Sequence, residues 1–215
     1  MFDFDVKVND DRIVARLRSI GKRAFPARVH ERREEIVRGA SAVLRQRRTG
    51  TLRMEQVAER LGLVKGNIYY YFRDRQDLIY HCHLRCIEMS LDALEQISGR
   101  REGAEARLRA LLERHIETIV ASDYGGALLA DMDELKPAQR RRYVALRDRF
   151  EAGIRALVEE GIARGEFRRT HVPLAGFAIL GSINWMPKWH RKDGELGPRA
   201  IAEWFAEFFI RALKP

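Results

Sequence analysis

Residues 52–78 read LRMEQVAERLGLVKGNIYYYFRDRQDL, and the spacing of their apolar side chains leaves little freedom in how they fold. Met54, Val57, Ala58 and Leu61 recur at i, i+3, i+4 and i+7, the period of one helical face. Gly62 stands where that helix would stop, and glycine carries no Cβ penalty in the left-handed turn such a stop uses. A second helix is expected over 64–72, with Val64, Ile68 and Phe72 inward at i, i+4 and i+8. Lys65, Gly66, Asn67, Tyr70 and Tyr71 then face outward, with Tyr69 on the edge. Successive helical residues lie about 100° apart, so three consecutive tyrosines cannot all be buried. Asp74 can cap a third helix, with Asp77 three residues on in the reciprocal position. A helix, a tight turn and a second helix that exposes a cation, an amide and phenols suit a DNA groove.

These residues resemble the DNA-binding domain of the TetR family of bacterial transcriptional regulators. The likeness rests on the Val57-Ala58 pair, the Gly62-Leu63 turn, Tyr69 to Phe72 ending the recognition helix, and Asp74-Arg75 opening the next one. It runs from about residue 31 to about residue 80. Leu52-Arg53 replaces the Thr or Ser pair that often opens the family's second helix, which makes Thr51 the expected cap. Val64 replaces a small polar residue that often supplies a phosphate contact. The resemblance implies an all-α fold: an N-terminal three-helix DNA-binding domain with a helix-turn-helix, then a C-terminal helical ligand-binding and dimerisation domain. Groove contacts are expected from Lys65, Asn67, Tyr70 and Tyr71, with Gly66 admitting the backbone close to DNA, and phosphate contacts from Arg53, Tyr69 and Arg75.

Charge supports a DNA partner. The chain has 215 residues and a formal net charge of +9. Residues 12–75 hold 17 Lys and Arg against 6 Asp and Glu, a net of +11, so the remainder stands at −2. The positive excess thus lies on the segment that would face phosphates. Two cysteines, Cys82 and Cys86, make no disulfide framework and fit a reducing cytoplasm. No secretory leader is evident, and the longest apolar run, 172–187, is interrupted and short for a membrane span.

Three segments are expected: an extension over 1–28, a DNA-binding domain over 29–76 and a ligand-binding and dimerisation domain over 77–215. Within the first, 11–25 reads as a basic helix that Pro26 ends, either a DNA-contacting arm or a solvated helix docked by its apolar stripe. Helix one of the DNA-binding domain follows over 29–47, and Arg45, Arg47 and Arg48 close it near phosphate or near the negative helix end. A long helix from Asp74 links reading head to effector domain. It carries Cys82 and Cys86 at i, i+4, a spacing open to a metal or thiol sensor but more often simply buried. His115 lies on the apolar face of the next helix, where it is either a hydrogen-bonded core histidine or a ligand contact. A break at Tyr124-Gly125-Gly126, a short helix over 127–134 and a long helix from Pro137 through Phe150 complete the middle. Residues 161–167, GIARGEF, again resemble the family.

The last two helices are expected over 172–185 and 199–213. Ala175, Ala178 and Ser182 give the first a small-residue face, while Trp204, Phe205 and Phe208 load the second with aromatics. By resemblance these helices pair across a two-fold axis into a homodimer, so the operator would be approximately palindromic. The stretch between them contains Asn184-Trp185, Trp189 and Arg191, with His190 where a tyrosine is common in the TetR subgroup that governs fatty-acid or steroid breakdown and answers to acyl-coenzyme A thioesters. That likeness implies ligand contacts from Asn184, Trp185, Trp189 and Arg191, to which His115 and Phe150 on apolar helix faces are added; the alternative is an interface loop with Trp anchors and solvated cations.

The sequence therefore describes a cytoplasmic, ligand-responsive DNA-binding regulator, a repressor by preference, with no cofactor, no metal and no membrane partner. The alternatives are a metal- or thiol-responsive regulator and an efflux regulator that answers to a drug-like hydrophobic molecule. No nucleophile elbow, phosphate loop or metal motif points to an enzyme.

Overall fold

The computed structural model describes residues 11–47, 51–191 and 193–215, the side chains of 11–27 and 47 excepted. Eight helices occupy them: α1 (Asp11–Arg47), α2 (Met54–Leu61), α3 (Lys65–Tyr71), α4 (Arg75–Ser98), α5 (Ala104–Val120), α6 (Pro137–Ala163), α7 (Val172–Trp189) and α8 (Pro198–Leu213). Two 3-10 segments, Asp123–Leu129 and Met132–Glu134, join α5 to α6, and no strand occurs among the described residues. No helix among them is long and apolar enough to cross a membrane.

The described residues divide into two compact units, with the division between residues 35 and 36. In the first, Arg32 pairs with Glu35 one helical turn away. The side chains of the expected basic arm lie outside the described residues. Pro26 does not end a helix, because α1 continues through it. A proline removes only its own backbone N–H from the ladder, so a helix can pass through at a local cost.

The second unit has one continuous apolar core. It runs from Ile36 and Leu44 on α1 through Ile68 and Leu78 to Ile154 on α6 and Ile210 on α8. The expected boundary at 76/77 is therefore no break in packing: α4 begins beside the reading head and continues into the effector helices, against α5 and α6. Cys82 and Cys86 are wholly buried on α4, and burial pushes both thiols up to about 12. They pack as small apolar groups, not as exposed thiolates.

Two corrections concern connections. The expected short helix over 127–134 is instead the pair of 3-10 segments, closed by bonds from Ala130 N–H to Ala127 O at 3.0 Å and from Leu135 N–H to Met132 O at 3.1 Å. Gly125 and Gly126 wedge the first segment against α5 and α1. A Cβ at Gly125 would stand 1.9 Å from Ile119 O, and one at Gly126 would stand 2.0 Å from Ser41 O. Beside them Arg45 donates to Ile119 O and Val120 O, capping the last turn of α5. Arg45 is thus committed to protein carbonyls rather than phosphate. The second correction is at α7, which does not stop at Trp185 but continues through buried Pro187 to Trp189, where His190 N–H closes on Met186 O at 2.8 Å. Asn184 to Trp189 is helix, not loop.

Candidate DNA-reading head and effector cavity

The reading head is set by local geometry. Gly62 adopts φ 62°, ψ 33°, and Leu63 N–H reaches Ala58 O at 2.9 Å, so the turn between α2 and α3 is a left-handed helix stop. Residue 53, not Thr51, is the N-cap of α2, in extended backbone and without a side-chain cap. The reason is Leu52, which is buried in the core and keeps the chain extended until Met54. Val64, expected inward, is 71 % exposed. It is the extended N-cap of α3, so helical periodicity does not yet apply to it. Asp77 N–H donates to Asp74 Oδ1 at 2.8 Å, the cap expected for α4, but Asp77 Oδ2 accepts at 3.2 Å from Arg73 N–H, one residue before the cap, and not from Asp74 N–H as the reciprocal position implies.

Arg53, Lys65, Gly66, Asn67, Tyr69 and Tyr70 are all exposed, and Tyr70 is 71 % so. Tyr71 is not on this surface. It is half-buried against the core, with Tyr70 edge-on to it at 5.0 Å. With Ile68 as the buried centre of α3, Tyr71 at i+3 falls about 60° away and Tyr69 at i+1 about 100° away, so Tyr69 is the outer of the two. Lys65 pairs with Glu55 of α2 and lies 5.8 Å from the Tyr69 ring centre. Glu55 holds the ammonium above its ordinary range, and Lys65 holds the Glu55 carboxyl below its own. Arg75 is drawn away, half-buried and paired with Glu134 at 2.6 Å. Arg73, two residues earlier, is exposed, a cation that the sequence reading missed.

Behind the reading head the start of α4 is tied to the segment that enters α6. Arg75 meets Glu134, Lys136 Nζ meets Asp74 Oδ2 at 2.6 Å, and Gln139 Nε2 donates to Asp77 Oδ1 at 3.1 Å.

A cavity of about 250 Å³ lies between α4, α5, α6, α7 and the 3-10 segments. His115, Phe150 and Asn184 line it as expected, and His83, Ser90 and Tyr143 join them. His115 Nδ1 lies 2.9 Å from Ser90 Oγ, and its ring packs 4.6 Å from Phe150. The His83 ring packs 4.8 Å from Tyr143. Burial pushes His83 down to about 4, helped by Arg147, and His115 down to about 3, so both are neutral imidazoles. His83 sits beside Cys82 in sequence, but nothing in its spacing separated a cavity histidine from a packed one.

Trp185, Trp189 and Arg191 lie outside this cavity. One helical step of about 100° turns Trp185 outward while Asn184 faces in. Trp185 is 63 % exposed, with Lys188 Nζ 6.0 Å from its ring centre. Trp189 stacks on Phe205 at 6.1 Å, and the two line a groove of about 340 Å³ between the end of α7 and α8 with Arg191. Arg191 also borders an open cleft with Arg45, Arg60 and His190. Of the expected pairing face, Ala178, Ser182, Trp204 and Phe208 are exposed, while Ala175 and Phe205 are half-buried. Leu174 and Phe177 extend the exposed apolar area on α7.

Comparison with known proteins agrees with this architecture. Residues 36–82 match "Bacterial regulatory proteins, tetR family", and residues 101–213 match "Tetracyclin repressor-like, C-terminal domain". The HTH-type transcriptional repressor KstR2 of Mycolicibacterium smegmatis is 18% identical over 195 residues, covering 83% of this chain and 88% of the relative. The TetR family transcriptional regulator PfmR of Thermus thermophilus superposes with a TM-score of 0.72 at 27% identity, over 83% of this chain and 99% of that one. AibR, solved with isovaleryl coenzyme A and operator DNA, superposes with a TM-score of 0.72 at 20% identity, over 86% and 98% of the two chains. With both halves of the family architecture matched, this chain belongs to the TetR family of bacterial transcriptional regulators, as a DNA-binding protein that answers to a small molecule.

Proposed function

We propose that the protein is a homodimeric repressor released from an approximately palindromic operator by an acyl-coenzyme A thioester. The observation that carries the ligand reading is the central cavity. Its volume of about 250 Å³ is many times the roughly 10–15 Å³ that one water needs on the same measure. That suits a short or medium acyl group and leaves coenzyme A outside. Asn184 on the cavity wall and Pro187 on the basic cleft are one turn apart on α7, and Asp123 on the cleft follows Ile119 on the cavity wall by four residues, just past the end of α5. An acyl group in the cavity can therefore direct its nucleotide toward Arg60 and Arg191. AibR, with isovaleryl coenzyme A, supports the ligand class, and the repressor KstR2 supports the sign of regulation.

On the DNA side, Lys65, Asn67 and Tyr70 enter the groove while Arg53, Tyr69 and Arg73 meet phosphates. The occupant of the exposed face on α7 and α8 is a second copy of this chain, which would cover Leu174, Ala178, Ser182, Trp185, Trp204 and Phe208. The switch runs through α4. It lines the cavity with His83 and Ser90, and its first turn both follows α3 and is tied to residues 134–139. A ligand that favours a different α4 position must weaken DNA binding reciprocally, by about 1–3 kcal/mol for typical couplings.

The experiment is an operator-binding titration with coenzyme A thioesters of two to twelve carbons, and with free coenzyme A. Release by a short- or medium-chain thioester, at concentrations where free coenzyme A does nothing, is the expected result. Failure of every thioester to change operator affinity would discard the ligand and leave the DNA-binding assignment in place.

A further inference from the structure

The cavity wall carries one cation that the fold leaves without a counter-ion. Arg147 lines the cavity from α6 and is half-buried. Its Nη1 lies 3.3 Å from Met132 Sδ, and its guanidinium carbon lies 6.0 Å from the Tyr143 ring centre. Met132 and Tyr143 line the same cavity, so the guanidinium stands at the wall beside them. A thioether is a weak acceptor, and a guanidinium has five N–H donors to place.

Its neighbours show how the fold treats arginines elsewhere. Arg107, Arg109 and Arg155 are the other arginines on α5 to α8 that are buried or half-buried. Arg107 pairs with Glu160, Arg109 with Glu207 and Arg155 with Glu151. Among the described residues Arg147 has no such carboxylate. Partial burial of a cation with no counter-ion opposes folding, and a ligand that brings the missing charge removes that cost. The group is also reachable. The ring nitrogens of His83 are sealed in the wall without partners, but no nitrogen of Arg147 is.

The surroundings limit the charge that Arg147 can receive. Two carboxylates border the cavity: Glu151 is engaged by Arg155, and Asp148 is exposed. His83 and His115 are neutral and add no positive charge. Much of the remaining wall is apolar, with Ile87, Ile119, Leu128 and Leu180. One free cation in an apolar wall suits one negative charge, and the carboxylates nearby oppose a dianion such as a phosphate monoester. The planar fork of a guanidinium matches a carboxylate with two parallel N–H···O bonds.

We infer that the part of the effector held in this cavity carries a single carboxylate, bound by Arg147. The inference rests on the cavity being the effector site, as proposed above. On the acyl-thioester reading, the acyl group is that of a dicarboxylic acid, joined to coenzyme A at one end and free at the other. A simple organic acid would meet the same guanidinium without coenzyme A.

The test compares two pairs by calorimetry, matched within each pair for carbon number: hexanoyl-coenzyme A against hexanedioyl-coenzyme A, and 1-hexanol against hexanoate. In at least one pair the member with the free carboxylate is expected to bind about tenfold tighter or more, as charge-assisted hydrogen bonds provide. Arg147→Gln should erase that advantage. Its melting temperature without ligand should not fall, because no ion pair is lost. Arg147→Lys keeps the charge but not the fork, and should retain only part of the advantage. Preference for hexanoate over hexanol, with neither thioester bound, would support this inference while removing the coenzyme A reading. Equal or tighter binding of hexanoyl-coenzyme A than of hexanedioyl-coenzyme A, with no advantage for hexanoate, would overturn it while leaving that reading intact. Persistence of the carboxylate advantage in Arg147→Gln, or no binding by any of the four compounds, would also overturn it.

Discussion

The reading head and the effector cavity are two ways of building a site. The first is a seven-residue helix whose chemistry faces out. Its orientation is set by neighbours in sequence: a left-handed stop at Gly62 before it and the Asp74 cap after it. The second is assembled from α4, α5, α6 and α7, with His83, His115, Phe150 and Asn184 brought together only by packing. The exposed face of one short helix tolerates substitution without unfolding, because the side chains on that face are not part of the core. A cavity wall belongs to the core, so every change there alters stability as well as binding. Substitutions in the two regions should therefore separate function from stability in one case and mix them in the other.

The sharpest break is expected at the reading head. Lys65→Ala combined with Tyr70→Ala should weaken operator binding by about 2–6 kcal/mol, at about 1–3 kcal/mol for each base-reading side chain removed. Both side chains are exposed, so the melting temperature should stay within about 2 °C of the parent, in keeping with a surface change of under about 0.5 kcal/mol. Fluorescence anisotropy with labelled operator at one fixed salt concentration, beside calorimetry, tests both halves. An unchanged affinity would mean that α3 is not the docking surface.

The cavity should show the opposite behaviour, in stability and in its response to pH. His83 and His115 are held neutral by burial, with folded values of about 4 and about 3 against an ordinary 6.5. As pH falls below 6.5 the unfolded chain takes up these two protons and the folded chain does not. Stability therefore drops, by about 1.4 kcal/mol per pH unit for each histidine, until the folded values are reached. Denaturant unfolding between pH 6.5 and 5 should lose about 3 kcal/mol per unit at the steepest point. That window lies above the range in which Glu55, Asp74 and Glu166, all held low by their partners, begin to contribute. In a His83→Leu, His115→Leu variant the slope should nearly vanish. A parental slope that survives both substitutions would place the proton uptake elsewhere.

These two regions also divide what was legible in the sequence. The Gly62 stop, the Asp74 cap and the exposure of Lys65, Asn67 and Tyr70 follow from period and residue type within twenty residues. Errors there came from the edges of elements. Val64 and residue 53 lie in extended backbone at helix starts, where a 100° step gives no information. Tyr71 and Tyr69 exchanged places because both flank the buried stripe. In the cavity, His115 and Phe150 are marked by the apolar faces of their helices and Asn184 only by the family resemblance, while His83 and Tyr143 read as ordinary core. Which buried face meets a void depends on how four helices close, and no local pattern encodes that. The Asn184–Trp189 stretch was misplaced for a related reason: Pro187 signals a break by itself, while packing around it carries α7 onward.

Between these extremes, Gly62→Ala should cost about 1–2 kcal/mol of stability, since a Cβ in the left-handed region is strained even with no atom within 4 Å of it. Operator affinity should fall with it, because the turn fixes the angle between α2 and α3. Full operator affinity at normal stability would show that the turn's conformation does not govern the reading head.

The smallest effects are expected where the two regions meet. The Arg75–Glu134 and Asp74–Lys136 pairs are only partly buried, so each contributes about 0.2–1 kcal/mol to stability at most. Their importance lies in what they join: one end follows α3, and the other belongs to the segment between the cavity wall at Met132 and α6. Arg75→Gln should leave stability and the salt dependence of operator binding almost unchanged, because its guanidinium already serves Glu134. Arg73→Gln, at an exposed cation, should reduce the slope of log affinity against log salt by about 1, as removal of one phosphate-binding cation requires. The ligand's effect on operator affinity should respond the other way round, falling in Arg75→Gln and persisting in Arg73→Gln. If Arg75→Gln instead lowered the salt slope while ligand release stayed intact, Arg75 would be a phosphate contact after all, and the connection from cavity to DNA would have to run through Arg45 and the end of α5.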